Sequence, residues 1–335
     1  MVLTRKYLQD LFGNETNLLK QANIDLSLKN IEEIQQGTFD GLINLQNLSL
    51  NNNKLTTINS NTFYGLKNLT YCKLENNLIE SIESFAFWNS DVILEEINFK
   101  NNKLIDIKAN TFNVKRYLRY LYLQNNTIEQ IDAFAFNDTK AFIIDLTNNR
   151  LKNLSNNAFN SINAFSVNLG FNILESIQNY AFDNSYIEVL SLNNNLMKIL
   201  EANTFTGLTG INALDLSFNQ IKSIQAFAFN ISSAILILDL TNNCIDNIEA
   251  NSFNGLEFVG ALKLTNNNLK TIKANAFNAS NIEQELYLNS NGLQRIESDA
   301  FKTLDSLSYL FLNDNNITNI QPNGLAGVRN ATIYL

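Results

Sequence analysis

The chain has 335 residues, of which 45% are hydrophobic and 17% charged, so it can bury a large core and lacks the composition of a disordered protein. Its net charge of −8 argues against nucleic acid or an anionic membrane surface as partner. It contains no His and no Gly-rich phosphate loop with a Lys, which removes the Ser-His and Cys-His nucleophile systems and His metal ligands. We therefore expect a protein that is not an enzyme and needs no cofactor or metal.

The first segment, residues 1–22, has apolar residues at helical spacing: Leu3, Tyr7, Leu8, Leu11 and Phe12. This pattern predicts an N-terminal helical cap of one or two short helices that closes the end of the core. Charged residues at positions 5, 6 and 10 interrupt any apolar run, so the segment does not have the pattern of a signal peptide.

From residue 23 onward the chain repeats itself every 23 to 25 residues. The clearest mark of each copy is an Asn, which we call the anchor; the first copy has Lys in its place. The thirteen anchors are Lys29, Asn53, Asn77, Asn102, Asn126, Asn149, Asn172, Asn195, Asn219, Asn243, Asn267, Asn291 and Asn315. Apolar residues recur five and three positions before the anchor and two and five after it, and a Phe follows ten after it in twelve copies.

This regularity decides how Asn-rich stretches such as "LNNNKLTTINSNTF" (50–63) should be interpreted. The alternating L-x-L before each anchor predicts one short strand per copy, and equally directed strands stack into a parallel sheet. The anchor stands where the chain turns away from that sheet, and a buried amide there can both donate and accept hydrogen bonds. We therefore expect a ladder of anchor amides. The neighbouring Asn51 and Asn52 are expected to be surface residues without a fixed role.

The pattern L-x-x-L-x-L-x-x-N-x-L-x-x-I followed by F, nearly complete in residues 45–63 and 118–136, resembles the typical leucine-rich repeats of about 24 residues. The resemblance covers residues 23–335 as thirteen repeats plus the start of a fourteenth. It implies an α/β solenoid, a horseshoe with a concave parallel β-sheet and a mostly irregular convex side. Two features depart from the family: Pro is absent before Pro322, and the Cys clusters that cap secreted members are missing.

A second period of two repeats lies around the Phe column, where "NTF" alternates with "FAF". It gives every other repeat one more aromatic residue on the convex side: Phe85, Phe134, Tyr180 and Phe227. Extra packing is the simpler interpretation, and a second binding face is the alternative.

Exposed positions of the concave strands lie two, four and six residues before each anchor. They hold two aromatic groups, Tyr71, Tyr120 and Tyr122 in repeats three to five and Tyr287, Tyr309 and Phe311 in repeats twelve and thirteen. Between the groups stand small residues and three acids, Asp145, Asp215 and Asp239. Exposed Tyr is enriched at binding hot spots, which predicts a protein-binding face at these nine residues. Aromatic residues also suit any strand surface, which is the alternative.

Asp215 and Asp239 occupy the same column of adjacent strands, where like charges are destabilising. No Lys or Arg occupies the exposed strand positions of repeats six to ten, so a basic segment of a protein partner, or a cation, could relieve the repulsion. A carboxylate pair at strand spacing would also suit a retaining glycosidase, but an open sheet offers no water-excluding pocket.

Two functional hypotheses remain. The first is a receptor or adhesion ectodomain fragment, extracellular or at the cell surface, that binds a protein ligand on its concave face. The second is an intracellular, cytoplasmic scaffold that uses its edges or convex surface. No segment of the sequence predicts membrane insertion. The C-terminal "ATIYL" stands where a fourteenth strand should begin, which we expect to reflect truncation or an open edge available for self-association.

Overall fold

A computed structural model describes residues 1–87, 94–112, 117–231, 233–278 and 280–335. The chain forms two compact units, Met1–Asn168 and Leu169–Leu335, each with its own core. Within the described ranges, no helix is both long enough and apolar enough to cross a bilayer. The division of the chain into a cap at residues 1–22 and repeats from residue 23 stays a prediction.

The N-terminal segment contains two short helices, α1 (Arg5–Phe12) and α2 (Glu15–Leu18). Each begins at a capping side chain, because Thr4 Oγ1 accepts from the Tyr7 N–H and Asn14 Oδ1 accepts from the Asn17 N–H. The helices place Leu8 and Leu18 in the core.

The sequence-based assignment to a helix was wrong for one of the apolar residues in this segment. Leu3 lies in a strand, β1 (Val2–Leu3), which pairs in parallel with β3 (Glu33–Ile34). The first repeat has no earlier repeat to pair with, so β1 satisfies the backbone groups at its edge. Leu11 is exposed, because the core end is already covered by Leu3, Leu8 and Leu18.

The first unit is a solenoid with one main strand per repeat. Its main sheet is parallel, with the strand order β2-β4-β6-β8-β10-β12-β14, and short second strands pair as β5 with β7 and β9 with β11. The strands after β1 are β2 (Asn23–Asp25), β3 (Glu33–Ile34), β4 (Asn47–Ser49), β5 (Thr57–Ile58), β6 (Tyr71–Lys73), β7 (Ser81–Ile82), β8 (Leu94–Asn98), β9 (Asp106–Ile107), β10 (Tyr117–Tyr122), β11 (Gln130–Ile131), β12 (Lys140–Asp145), β13 (Asn153–Leu154) and β14 (Asn163–Asn168).

The second unit repeats this plan, with the main order β16-β19-β21-β22-β24-β26-β28, β18 beside β16, and second strands that pair as β17-β20 and β23-β25-β27. The last main strand, at the predicted start of a fourteenth repeat, pairs with β26. The strands are β15 (Ser176–Ile177), β16 (Ser185–Ser191), β17 (Ile199–Leu200), β18 (Leu208–Thr209), β19 (Ala213–Asp215), β20 (Ser223–Ile224), β21 (Ala234–Asp239), β22 (Phe258–Lys263), β23 (Thr271–Ile272), β24 (Ile282–Tyr287), β25 (Arg295–Ile296), β26 (Tyr309–Phe311), β27 (Asn319–Ile320) and β28 (Thr332–Tyr334); one 3-10 turn spans Ala326–Val328.

The anchor amides form the predicted ladder. In the first unit, Asn126 Oδ1 accepts from the Leu104 N–H of the preceding repeat at 3.0 Å. Its Nδ2 donates to the carbonyls of Phe99 and Leu123, each at 3.0 Å. Each such carbonyl lies in the core and has no access to water, so the amide supplies the partner that the turning backbone needs.

The Phe column is buried as expected, and its rings stack from repeat to repeat. Phe136 and Phe159 are stacked at 5.2 Å between ring centroids in the first unit, and Phe205 and Phe229 at 5.8 Å in the second. These rings fill the side of each core opposite the main sheet.

Asn52 is exposed, as expected, but it has a conformational role that the sequence analysis did not predict. Asn52 has a φ of 57°, in the left-handed region, and the residue before the anchor has the same conformation in every repeat from Leu28 to Asp314. Asn tolerates this conformation better than other residues with a side chain, which explains why it dominates the column. In places the exposed amides also bond to each other, as Asn101 Nδ2 does to Asn76 Oδ1 at 2.8 Å.

Candidate protein-binding face

We call the side of each main sheet that points away from the core the open face. The residues four and six before each anchor lie on it, and the parallel register aligns them across neighbouring strands. In the first unit, Tyr71, Glu96 and Tyr120 are register partners, and so are Asn98, Tyr122 and Asp145. All predicted site residues of this unit therefore lie on one surface.

The structure groups these aromatic residues differently from the prediction. Tyr120 and Tyr122 stack at 5.9 Å, whereas Tyr71 lies two strands from Tyr120, with Glu96 between them. Two further rings join the pair: Phe142 meets Tyr120 edge-on at 6.0 Å, and Phe165 stacks on Phe142 at 4.8 Å.

Sequence reasoning missed Phe142 and Phe165 because they stand seven residues before their anchors, outside the positions considered. The signal was present, since the segments "KAFIID" and "NAFSVN" align the two Phe residues in consecutive repeats.

Burial raises the pKa of Tyr122, and the nearby Glu96 carboxylate adds to the effect.

In the second unit a single column crosses seven strands. Its register partners, from β16 to β28, are Ser191, Asp215, Asp239, Lys263, Tyr287, Phe311 and Tyr334. The last three rings form a continuous stack, with 4.4 Å between Tyr287 and Phe311 and 4.7 Å between Phe311 and Tyr334. Tyr309, two residues before Phe311, stacks beside it at 6.5 Å.

The structure therefore brings together the predicted Tyr287, Tyr309 and Phe311 and adds Tyr334. The Tyr287 hydroxyl donates to Glu285 Oε2 at 2.9 Å. Burial, followed by this hydrogen bond and the charge of Glu285, raises the pKa of Tyr287 to about 12. This tyrosine is therefore a fixed hydrogen-bond donor at neutral pH.

The three acids have a structural role at the strand ends. Asp145 Oδ1 accepts from the Thr147 N–H at 3.0 Å, Asp215 Oδ1 from Ser217 at 2.9 Å, and Asp239 Oδ1 from Thr241 at 2.9 Å. In each case one carboxylate oxygen holds the backbone where the chain leaves the strand, which is the usual Asx arrangement.

Asp215 and Asp239 are direct register partners, as predicted. The second oxygen of Asp239 lies 3.4 Å from the Lys263 ammonium of the next strand, in repeat eleven. This cation stands just outside the repeats considered in the sequence, and it relieves part of the repulsion within the chain. The described residues give Asp215 no ion pair of its own.

Comparison with protein families identifies the repeat. A model described as Leucine rich repeat matches residues 22–79, 209–269 and 284–332, which is half of the chain. A second model, described as a BspA type Leucine rich repeat region of six copies, matches residues 80–212. The chain belongs to the leucine-rich-repeat family. Its fold class is therefore the predicted leucine-rich-repeat solenoid. Among curated proteins, none matches the sequence.

Several solved structures resemble this leucine-rich-repeat chain in fold. A chain of the glycosylated Drosophila Toll–Spatzle complex matches with a TM-score of 0.64 at 19% identity, over 100% of this chain and 41% of that chain. The leucine-rich repeat domain of APL1B matches with 0.63 at 22%, over 100% and 93%. A leucine-rich repeat protein of Bacteroides thetaiotaomicron matches with 0.61 at 16%, over 85% and 39%. This chain thus spans less than half of the first and third proteins.

Proposed function

We propose that this leucine-rich-repeat chain is a non-enzymatic protein-binding module that takes a protein partner on the open face. The observation that carries the proposal is the stack of Tyr287, Phe311 and Tyr334 beside Tyr309. Stacked rings on a rigid sheet offer a large apolar area with little conformational entropy left to lose, and their hydroxyls still bond a partner. Buried aromatic anchors of this kind dominate the energy of protein interfaces.

The charge pattern beside the stack favours a partner with a basic segment. Asp239 already has Lys263 as its cation, whereas the strand on the other side of Asp215 presents Ser191. A Lys or Arg of the partner would fit at Asp215 while its apolar residues cover the rings. The first unit offers a second surface of the same kind, with Tyr120, Tyr122 and Asp145 on adjacent strands.

We further propose that the chain is part of an extracellular receptor or adhesion protein. The Toll–Spatzle structure, whose fold it shares, is described as a complex with a hub role in development and innate immunity. The likeness is one of fold, so it supports this role without assigning the same partner. The alternative is an intracellular scaffold that binds through its edges or its opposite side.

The proposal is tested by screening the multimerised chain against an array of secreted and cell-surface proteins, followed by affinity measurement for each hit. Tyr309→Ser and Phe311→Ser should each weaken binding by about 30-fold, as expected for hot-spot residues. Phe218→Ser is the matched control, because Phe218 is exposed in the same unit but lies outside the main strands.

Asp215→Asn should weaken binding less at high salt than at low salt, because its contribution is electrostatic. Hits that lose affinity with Phe218→Ser but not with the open-face variants would contradict the open-face proposal and favour the scaffold alternative.

A further inference from the structure

A second aromatic feature lies away from the open face, eight residues after the anchor. Backbone φ is positive in this column in both units, and most repeats place Asn there, as at Asn110 and Asn203. Four alternate repeats carry an aromatic residue instead. These are Phe85 and Phe134 in the first unit and Tyr180 and Phe227 in the second, each with a φ of 62°.

Each of these aromatic residues carries two costs. A bulky side chain in the left-handed region brings its Cβ close to the following carbonyl, which Asn and Gly tolerate better. Their exposures are 43% for Phe85, 42% for Phe134, 52% for Tyr180 and 49% for Phe227, so each residue also keeps a large part of its surface in water. Extra packing therefore accounts for only part of each side chain, because the fully buried Phe136 and Phe229 already fill the core two residues later.

The residue before the ring differs among the four copies, while the residue after it is Ala in each, and the ring column itself always holds an aromatic residue. The preceding residues are Ser84, Ala133, Asn179 and Ala226, whereas the column itself holds only Phe or Tyr. A strained and exposed side chain that recurs in this way points to function rather than to packing.

The rings stand at a fixed spacing. In the first unit the Phe85 N–H donates to the Asn110 carbonyl at 3.3 Å, and the Asn110 N–H donates to the Phe134 carbonyl at 3.0 Å. In the second unit the Asn203 N–H donates to the Phe227 carbonyl at 3.0 Å. Consecutive steps are therefore hydrogen-bonded like neighbouring strands, which places the backbones of Phe85 and Phe134 about 10 Å apart, with Asn110 between them.

Between the rings, this column and the position before it are uncharged, whereas two residues before the column the first unit has charges of both signs, at Glu83, Lys108 and Asp132. Asn110 separates the rings in the first unit and Asn203 in the repeat between Tyr180 and Phe227, and the position before each step holds Ser, Ala or Asn. Asn203 Oδ1 accepts from Asn230 Nδ2 at 3.4 Å, which adds another exposed amide beside the column. Each unit therefore carries one aromatic strip, formed by Phe85, Asn110 and Phe134 in the first unit and by Tyr180, Asn203 and Phe227 in the second.

We propose that each aromatic strip binds a neutral polysaccharide, an extended β-linked hexose chain that lies along the repeat direction of its unit. The positively polarised C–H groups on a sugar face are attracted to the negative face of an aromatic ring. The Asn amide between rings can both donate to and accept from sugar hydroxyls. The backbone spacing of two strand steps, about 10 Å, matches the two-sugar repeat of an extended β-linked chain.

Other occupants fit these observations less well. A lipid surface would have to bury the interleaved amides without partners, which is costly, and the net charge of −8 gives no attraction to anionic lipids. An anionic glycan has no row of cations to meet along either strip. A protein surface would need features at the same two-repeat spacing to match these rings, which a second copy of this chain would have.

Affinity electrophoresis in gels that contain hydroxyethylcellulose or glycol chitin tests the proposal on the full chain. Both polymers are neutral, and the variants leave the protein charge unchanged. The wild type should be retarded by at least one polymer. The variant with Asn in place of all four rings should lose at least about 10-fold in affinity for cellohexaose or chitohexaose, measured by calorimetry.

Asn already occupies the same column in other repeats, so the variant should fold, with an unchanged or higher unfolding midpoint. The matched control is Phe171→Asn with Phe218→Asn. These two Phe residues are also left-handed, with φ of 54° and 53°, and are 53% and 54% exposed, but they stand before the anchor. Retardation should persist in this control and in Tyr180→Phe, which keeps the ring. If the fourfold variant does not fold, the Tyr180→Asn and Phe227→Asn pair replaces it with the same expectation.

Three results would overturn the proposal. The first is a wild-type chain that neither polymer retards. The second is an equal loss in the Phe171 and Phe218 control, which would indicate general stickiness of exposed rings. The third is ring-dependent binding to phosphatidylcholine vesicles, or a ring-dependent dimer, without sugar binding. These results leave the open-face proposal untouched, because its variants lie on the main strands.

Discussion

Asn194 and Asn195 are neighbours in the chain but belong to two regions, in which different interactions determine the residue that is needed. Asn195 lies in the buried ladder and is 4% exposed. Its Oδ1 accepts from the Leu174 N–H at 2.9 Å, and its Nδ2 donates to the carbonyls of Leu169 and Leu192 at 3.1 and 3.0 Å. Asn194 lies in the turn column at the surface, where its φ of 55° is what matters.

The comparison shows that one residue type recurs for two reasons. The ladder needs an amide because it must donate and accept in the dry interior, where an unpaired backbone group is costly. The turn column needs a residue that tolerates a left-handed backbone, so its side chain can change as long as the conformation remains accessible. Substitutions at the two neighbours should therefore follow opposite rules.

The largest effect is expected in the ladder. Asn195→Leu keeps the branching of the side chain but leaves the Leu174 N–H without its partner and removes one of the two amide donors to each of Leu169 and Leu192. The free energy of unfolding should fall by about 2–4 kcal/mol. Urea melts measure it, and Asn195→Gly should be equally harmful, because backbone freedom cannot replace the amide.

A smaller effect is expected in the turn column, where Gly, harmful in the ladder, should be tolerated. Asn194→Ala should lower the free energy of unfolding by about 1 kcal/mol, because Ala tolerates a φ of 55° less well than Asn. Asn194→Gly should be close to neutral, since Gly adopts this conformation freely. If Gly and Ala cost the same in urea melts, conformation is not what this column selects.

The smallest expected effect is a pH dependence of stability. It should be present at the open face and absent from both amide columns. Amides do not titrate, so the cost of Asn195→Leu should be the same at all alkaline pH values at which the chain folds. The pKa of Tyr287 is raised to about 12 from the ordinary 10.0. Its extra stabilisation is therefore complete below about pH 10 and disappears as pH rises through about 12.

The measurement is the difference in urea-unfolding midpoint between the wild type and Tyr287→Phe. A difference present at about pH 9 should shrink by about pH 12. A difference that grows over this window would contradict the assigned hydrogen bond to Glu285.

The parts of the fold that rest on repeated local patterns were predictable. The strand positions, the anchor amides and the buried Phe column each recur in twelve or more copies, so one physical explanation had to serve all of them. The left-handed role of Asn52 and its equivalents was missed because the surrounding Asn residues conceal which one is constrained. Leu3 was misassigned because the pairing of β1 with β3 joins segments thirty residues apart.

The candidate site was predictable as a face but not as a set of contacts. Alternation along each strand places Tyr71, Tyr120, Tyr122, Asp145, Asp215, Asp239, Tyr287, Tyr309 and Phe311 on the open faces, because side chains of a strand point to opposite sides in turn. Their role in binding stays a prediction. Phe142, Phe165 and Tyr334 join them only through stacking across strands.

By itself the sequence determined the repeat, the parallel strands, the amide ladder and the column in which each side chain stands, because these follow from periods of two and of about 24 residues along the chain. Only the tertiary structure decided which columns share a surface, which ring stacks on which, and that Lys263 reaches Asp239. It also decided which Asn is left-handed and that four aromatic residues occupy the strained column with a large part of each residue's surface in water. The physical reason is that these properties depend on register between repeats and on backbone φ, which residue type alone does not specify when Asn, Phe and Tyr all occupy the same column.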